Sequence, residues 1–303
     1  MNVILIIALF FGAGLLARPL LQSIGSVVKW VNTFIIYLAL PAIILLKVPL
    51  LEFSRAVMLP AGFPWLWMLV SIGMVLWLCR SFAWPRQIEG ALLLLVTLGN
   101  SSFLGYSLVL AVFGDGALGY AIFYDQLGTF LVLNTFGLTV IALYAPSRDG
   151  GVAVSPLMVV KRILTFPPFI ALLVAVLIPV HWHTLAIASV MEVLAKLLMP
   201  AALFVLGLQF QPRLLPEHKA PLAVAIFLKL IIAPLAAWLY VGAVGISGDA
   251  RIAAIFLTAM PCMVTPGLLA IHAGIAPRFV ATLLGYSTVA SFVTLPIVAY
   301  LIS

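Results

Sequence analysis

Charge is scarce in this chain. Of its 303 residues only 8% are Asp, Glu, Lys or Arg, whereas 65% are hydrophobic, and the mean hydropathy is +1.30. A soluble domain is excluded, because its surface would need far more charged residues. A helix needs about 20 apolar residues to cross a bilayer, so the length accommodates about ten spans joined by short loops. The composition therefore predicts an all-α integral membrane protein.

Cysteine and enzyme signatures are scarce as well. The two cysteines, Cys79 and Cys262, both have apolar neighbours, which gives no basis for a disulfide framework or a cysteine-based metal site. The sequence contains no H-E-x-x-H, no G-x-S-x-G and no phosphate-binding P-loop motif. We therefore expect no enzymatic activity, no cofactor and no metal.

The basic residues that are present lie mostly in the loops that follow odd-numbered spans. Ten lie there, and three lie in or beside the other loops. Under the positive-inside rule this asymmetry places the odd loops in the cytoplasm and both termini outside. We expect the protein in the cytoplasmic (inner) membrane. Basic residues in this pattern give no reason to expect a nucleic-acid partner. The ten are Arg18, Lys29, Arg80, Arg86, Arg148, Lys161, Arg162, Arg213, Lys219 and Arg278.

The chain divides into two halves of five predicted spans each. Residues 1–145 form the first five-helix repeat, residues 146–162 a cytoplasmic connecting loop, and residues 163–303 the second repeat. Because five is odd, the second half enters the membrane from the opposite side, which is the topology of an inverted repeat. A local echo supports duplication, since Leu40-Pro41-Ala42 in the second span resembles Met199-Pro200-Ala201 in the seventh.

Two apolar segments in matching places of the two halves are interrupted by helix-weakening residues. The interruptions cover Gly99 to Gly105 in the fourth span and Met260 to Gly267 in the ninth. A broken helix is tolerated at membrane depth only where protein or a water-filled cavity covers it. Each break lies about 16 Å into its span, from opposite sides, so we expect both at the midplane. A matched pair of this kind indicates the binding site of a transporter.

Polar side chains beside the breaks are the candidates for binding a substrate. The alternative is that the glycines allow close helix packing while the hydroxyl groups bond neighbouring helices. Lys229, with no acidic residue within four positions, is a further candidate for facing an anion, and snorkelling to the cytoplasmic surface is its alternative. The candidate substrate-binding residues are Asn100, Ser101, Ser102, Thr258, Pro261, Thr265, Pro266, Gly267 and Lys229.

Asp125 is the candidate for ion coupling. An ionisable residue inside a membrane is costly and is therefore a functional candidate. Together with Gln126 and Thr129 it offers oxygen ligands for Na⁺, or it binds H⁺, because burial favours the neutral form of a carboxyl group. The alternative is a carboxylate that satisfies backbone N–H groups freed at the Asn100 break.

The motifs at both breaks, with the Pro-Ala echo, resemble those of the auxin efflux carriers in their bacterial branch, which are related in fold to bile acid:sodium symporters. The most specific motif is Gly99-Asn100-Ser101-Ser102-Phe103-Leu104-Gly105. The resemblance implies ten helices in two inverted five-helix repeats, a panel and a core, with broken helices 4 and 9 crossing. It also implies transport of organic anions, auxin in plants and malonate- or malate-like acids in bacteria. Ser107 departs from the family pattern, which usually has proline there.

We therefore expect a secondary transporter of small organic carboxylates or auxin-like acids that works by alternating access with H⁺ or Na⁺ coupling. One alternative is a Na⁺-coupled symporter of larger amphipathic anions, and another is a membrane sensor that binds its ligand without moving it. The expected partners are the organic anion and the lipid bilayer, and the choice between a monomer and a homodimer stays open.

Overall fold

The computed structural model describes residues 3–21, 23–51, 55–146, 155–178, 186–210 and 218–303. For residues 3–8, 55 and 56 it describes the backbone but not the side chains. The regular secondary structure in these ranges is helical, and they contain no β-strand. In chain order the helices are α1 (Val3–Ala17), α2 (Ile24–Leu50), α3 (Arg55–Ser81), α4 (Arg86–Thr97), α5 (Ser101–Phe113), α6 (Asp115–Tyr144), α7 (Pro156–Leu164), α8 (Pro167–Leu177), α9 (Ala188–Gln209), α10 (Lys219–Val244), α11 (Gly248–Thr258), α12 (Val264–His272) and α13 (Pro277–Ile302).

Six of these helices are long and apolar enough to cross a membrane, namely α2, α3, α6, α9, α10 and α13. Helices α7 and α8, bent by 66° relative to each other, form a seventh candidate span as a pair. Helix α7 begins at Pro156, inside the stretch 146–162 that the sequence predicts as a loop, and the central part of that stretch lies outside the described residues. Ser155 caps α7, because its side-chain oxygen accepts the backbone N–H of Met158 at 3.2 Å. The all-α membrane class predicted from composition is confirmed.

Five stretches of π-helix interrupt the described helices. A π-helical turn inserts one extra residue into the helical ladder and is found frequently at functional sites. Three of the five carry buried polar or charged side chains that the sequence singles out: Ser101–Gly105 in α5, Tyr124–Thr129 in α6 and Leu228–Ile232 in α10. The locally widened backbone therefore coincides with the residues of the candidate site.

Helices α1 and α9 approach each other closely at two glycines. A Cβ atom built on Gly14 would lie 2.1 Å from the Phe204 backbone oxygen, and one built on Gly207 would lie 2.1 Å from the Phe11 backbone oxygen. Both contacts are to backbone atoms, so no side-chain rotation relieves them. This is the small-residue packing expected between helices in lipid, where van der Waals contact replaces the hydrophobic effect as the force between helices.

Candidate functional site

The two interruptions pair with each other. The backbone N–H of Asn100 donates to Pro261 O at 2.8 Å, and the N–H of Met263 donates to Leu98 O at 3.0 Å, which forms a short antiparallel bridge centred on Gly99 and Cys262. Each break therefore satisfies backbone groups that the other leaves open, which explains how two broken helices are accommodated away from water. The pairing brings the two candidate motifs into direct contact, although Asn100 and Pro261 are 161 residues apart in sequence (261 − 100).

Asn100 occupies the centre of this arrangement. Its backbone is not helical, with φ −78° and ψ 63°, and its side chain is only 3% exposed. The amide nitrogen Nδ2 is buried and has no hydrogen-bond partner among the described residues. An unpaired buried donor costs about 1–3 kcal/mol, and such a group in a native structure calls for an explanation such as a ligand or a water molecule.

Asp125, on α6, is fully buried beside the first break and accepts four hydrogen bonds. Its Oδ1 accepts from Ser101 Oγ at 2.5 Å, and its Oδ2 accepts from Ser102 Oγ at 2.7 Å, from Tyr106 OH at 2.9 Å and from Gln126 Nε2 at 2.9 Å. Within the described part of the chain these donors are all side chains. The carboxyl group therefore ties α6 to the side chains of α5, rather than capping backbone N–H groups freed at Asn100.

The other two ion-coupling candidates, Gln126 and Thr129, have different surroundings. Gln126 belongs to the Asp125 network, and its Oε1 is buried without a partner in the described ranges. Thr129 is buried one helical turn away and contributes instead to a cavity of about 10 Å³, which it shares with Lys229 and Thr258. This volume corresponds to about one water molecule.

Lys229 points into the protein. Its side chain is 1% exposed, and its Nζ donates to Thr258 O at 3.0 Å. Snorkelling to the surface, the alternative left open by the sequence, is therefore not observed. Because Thr258 is the last residue of α11, the ammonium lies at the negative end of a helix. It also lies against the first break, since a Cβ atom on Gly99 would come within 2.9 Å of Nζ.

The remaining candidates fall around α12. Pro261 contributes the carbonyl oxygen that binds Asn100, whereas Thr265 and Pro266 lie in the first turn of the helix. The Thr265 side chain is half-buried. Gly267 fits the packing alternative, because a Cβ atom there would lie 2.6 Å from Leu284 Cδ1.

Sequence reasoning missed two tyrosines of the site. Tyr106 donates to Asp125, and Tyr124 shares a 2.7 Å hydrogen bond with Thr258 Oγ1, which itself donates to Ala254 O at 2.7 Å. Both tyrosines are buried. Their positions in the sequence could have indicated both, since Tyr124 directly precedes Asp125 and Tyr106 directly follows the Gly99–Gly105 motif. A buried tyrosine hydroxyl normally has a hydrogen-bond partner, so tyrosines beside these motifs are candidates for the same site. Among the described residues no three His, Cys, Asp or Glu side chains cluster as metal ligands.

Comparison with known proteins relates this chain to transporters. The chain is 30% identical over 199 residues to an uncharacterized transporter of Methanothermobacter thermautotrophicus, an alignment that covers 65% of this chain and spans only 63% of that relative. An uncharacterized transporter of Methanocaldococcus jannaschii is 24% identical over 270 residues, with 86% of this chain and 85% of the relative covered. A protein of Rhizobium meliloti named as a candidate malonate transporter is 27% identical over 245 residues, with 76% and 73% covered.

The family model described as membrane transport protein matches residues 1–149 and 151–299, which is nearly the whole chain. It is a family of transporters rather than enzymes, and its extent includes both interruptions and the Asp125 network. The chain belongs to the membrane transport protein family, the auxin efflux carrier family that the sequence motifs resemble.

Proposed function

We propose that the protein is a secondary transporter of small organic carboxylates, with the substrate bound where the two interruptions pair. The observation that carries this proposal is the buried, unpaired Nδ2 of Asn100 at the junction of two broken helices. A donor without a partner in that position suits a carboxylate oxygen. The similarity to a protein named as a candidate malonate transporter favours a small dicarboxylate such as malonate or malate.

The helix termini around Asn100 support an anion as the ligand. Helix α5 begins at Ser101 and α12 begins at Val264, so two helix N-termini flank the junction. Such termini attract negative charge. The carboxylate then takes one hydrogen bond from Asn100 Nδ2 and others from N–H and hydroxyl groups of the first turns, including that of Thr265. Lys229 lies against Gly99 of the first break, and its positive charge offsets the negative C-terminal end of α11. This charge makes the electrostatic potential at the junction more positive.

The proposed architecture has ten spans in two inverted five-helix repeats. Six are the long apolar helices, and the others are α1 and the three pairs α4–α5, α7–α8 and α11–α12. In this arrangement α4–α5 and α11–α12 are the fourth and ninth spans, which enter from opposite faces of the cytoplasmic membrane with both termini outside. Alternating access then moves one bundle against the other around the junction.

Asp125 is the proposed coupling site, and its surroundings favour H⁺ over Na⁺. Three of its four partners are the hydroxyl groups of Ser101, Ser102 and Tyr106, which can rotate from donating to accepting when the carboxyl group gains a proton. A sodium ion bound to Asp125 would instead have to displace hydrogen bonds from the four donors that its two oxygens already accept. We expect uptake to depend on a proton gradient, to be unchanged when choline replaces Na⁺, and to lose its proton dependence in Asp125→Asn.

Reconstitution in liposomes tests the proposal. Liposomes containing the purified protein should accumulate radiolabelled malonate faster than empty liposomes, and an excess of unlabelled malonate outside should suppress the uptake. Binding of malonate without any flux would overturn transport in favour of a membrane sensor. Uptake that requires Na⁺ and prefers large amphipathic anions would replace the proposal with a sodium symporter.

A further inference from the structure

A cavity of about 570 Å³ lies apart from the Asn100 junction, between α2 and α9 on one side and α12 and α13 on the other. Its volume lies in the range of small-molecule sites, about 300–1,000 Å³. Three basic residues, Arg18, Lys29 and His272, are among those that line it, and none of the lining residues is Asp or Glu. When these basic groups are charged, the electrostatic potential inside the cavity is therefore positive.

The basic groups are placed so that they can act on a ligand. Arg18 is fixed by a hydrogen bond from its Nη1 to the backbone oxygen of Phe210, directly after α9 ends. His272 Nδ1 lies 2.7 Å from Leu268 O, a contact that requires a proton on Nδ1 and leaves Nε2 for another partner. Lys29 is exposed, and its ammonium belongs to no ion pair among the described residues.

Two carboxamide groups in the lining lack partners. Asn32 Oδ1 on α2 and Gln209 Oε1 on α9 are buried and make no hydrogen bond with any described residue. Because oxygen and nitrogen of a carboxamide exchange places by a half-turn, either group can present its NH₂ to an anion. Unpaired buried polar atoms in the residues that line a cationic cavity call for a partner such as a water molecule.

The cavity extends along α12 towards the paired interruptions. Its lining includes His272, the last residue of α12, and Val264, the first. At 1.5 Å per residue these ends are about 12 Å apart. Val264 directly follows Met263, whose N–H pairs with Leu98 O at the junction. Helix α12 thus lines the cavity from its basic end, at His272, to the junction, at Val264.

We propose that this cavity is a carboxylate-collecting vestibule, in which Lys29 and His272 attract the organic anion and α12 guides it to Asn100. This inference rests on the proposed function and adds the route of entry on one face of the membrane. The volume is far larger than a small dicarboxylate, so the anion passes through it with water. The phosphate headgroup of an anionic lipid shares the same chemistry, and the experiment separates the two sources.

The test compares two double variants with equal loss of basic residues. Lys29→Gln with His272→Gln removes two basic side chains of the cavity, whereas Lys161→Gln with Arg278→Gln removes two exposed ones outside its lining. Arg18 is left intact because it also holds Phe210. Malonate binding is measured in neutral detergent, and the KM of malonate uptake is measured in liposomes of neutral phosphatidylcholine at low and high salt.

We expect the cavity variant to raise the apparent Kd and the KM about 10-fold at low salt, because the two basic side chains speed capture and also stabilise the anion held in the cavity and at the junction. The kcat should be unchanged, because the later steps do not involve these side chains. At high salt the difference from the wild-type protein should shrink. The control variant should stay within about 2-fold of the wild-type protein.

Equal Kd and KM values in the two double variants would overturn the inference while leaving the proposed function in place, provided that the wild-type protein transports malonate. A KM difference that appears only when anionic lipid is added would assign the cavity to a lipid headgroup and also overturn it. If the wild-type protein neither binds nor transports malonate, malate or a monocarboxylate, both the inference and the proposed function fail.

Discussion

The contact between α1 and α9 gives the sharpest prediction about stability. In Gly14→Ala the new methyl group would lie 2.1 Å from Phe204 O and 3.0 Å from Leu208 N, both backbone atoms. Non-bonded carbon atoms pack at about 3.5–4.0 Å, so the two helices must separate by roughly 1 Å or more. Overpacking of this kind typically costs about 1–3 kcal/mol. We expect Gly14→Ala to lose that amount of stability.

Gly12→Ala is the matched control, two residues away on the same helix. A Cβ atom on Gly12 meets no heavy atom within 4 Å. Alanine is favoured over glycine inside a helix by up to about 1 kcal/mol, so this variant should be as stable as the wild-type protein or slightly more stable. The two glycine-to-alanine changes are therefore expected to act in opposite directions.

The measurement is the thermal midpoint of the detergent-solubilised protein, followed by size-exclusion chromatography after heating. A change of 1 kcal/mol shifts the midpoint of a large domain by about 2–4 °C, so Gly14→Ala should fall by roughly 2–12 °C while Gly12→Ala does not fall. Equal midpoints for the two variants would refute the close approach of α1 and α9.

Three further outcomes follow from individual contacts. Tyr124→Phe removes the hydroxyl group that bonds Thr258, and we expect the free energy of unfolding to fall by about 1 kcal/mol, seen as a lower thermal midpoint. An unchanged midpoint would show that this hydrogen bond contributes nothing to stability. Gly99→Ala places a methyl group 2.9 Å from Lys229 Nζ, and uptake should fall while the elution profile stays that of folded protein; full uptake would contradict the proposed role of this ammonium. Lys47→Gln breaks an ion pair whose acidic partner is 63% exposed, so stability should change by less than about 1 kcal/mol, and a loss above about 2 kcal/mol would mean that the pair is not simply a surface contact.

The helices and their interruptions could be predicted from sequence because both depend on local composition. Apolar runs long enough for a bilayer predict the long helices, and glycine, asparagine and proline within such runs predict the breaks. Helix α4 ends at Thr97 and α11 ends at Thr258, just before the predicted interruptions. The interruptions are shorter than predicted, because helix resumes at Ser101 and at Val264. Helix α7 was missed because a charged stretch with proline has the composition of a loop.

The contacts of the site could not be predicted in the same way, because they join residues far apart in the chain. Nothing in the local sequence around Lys229 shows that a carbonyl oxygen of Thr258 lies 3.0 Å from its Nζ, and this contact decides between burial and snorkelling. The same holds for Asp125, whose donors include Tyr106 on the preceding helix. The assignment of these residues to substrate binding or ion coupling stays a prediction.

The central claim is that a carboxylate binds the free amide of Asn100 at the junction of the two broken helices. The most direct test compares binding of radiolabelled malonate to Asn100→Ala and to Ser107→Ala, whose hydroxyl bonds only Phe103 O within its own helix among the described residues. A hydrogen bond to a charged group is worth about 1.5–3 kcal/mol, so Asn100→Ala should weaken binding about 10- to 100-fold while Ser107→Ala binds like the wild-type protein. Equal affinity in Asn100→Ala and the wild-type protein would contradict the claim.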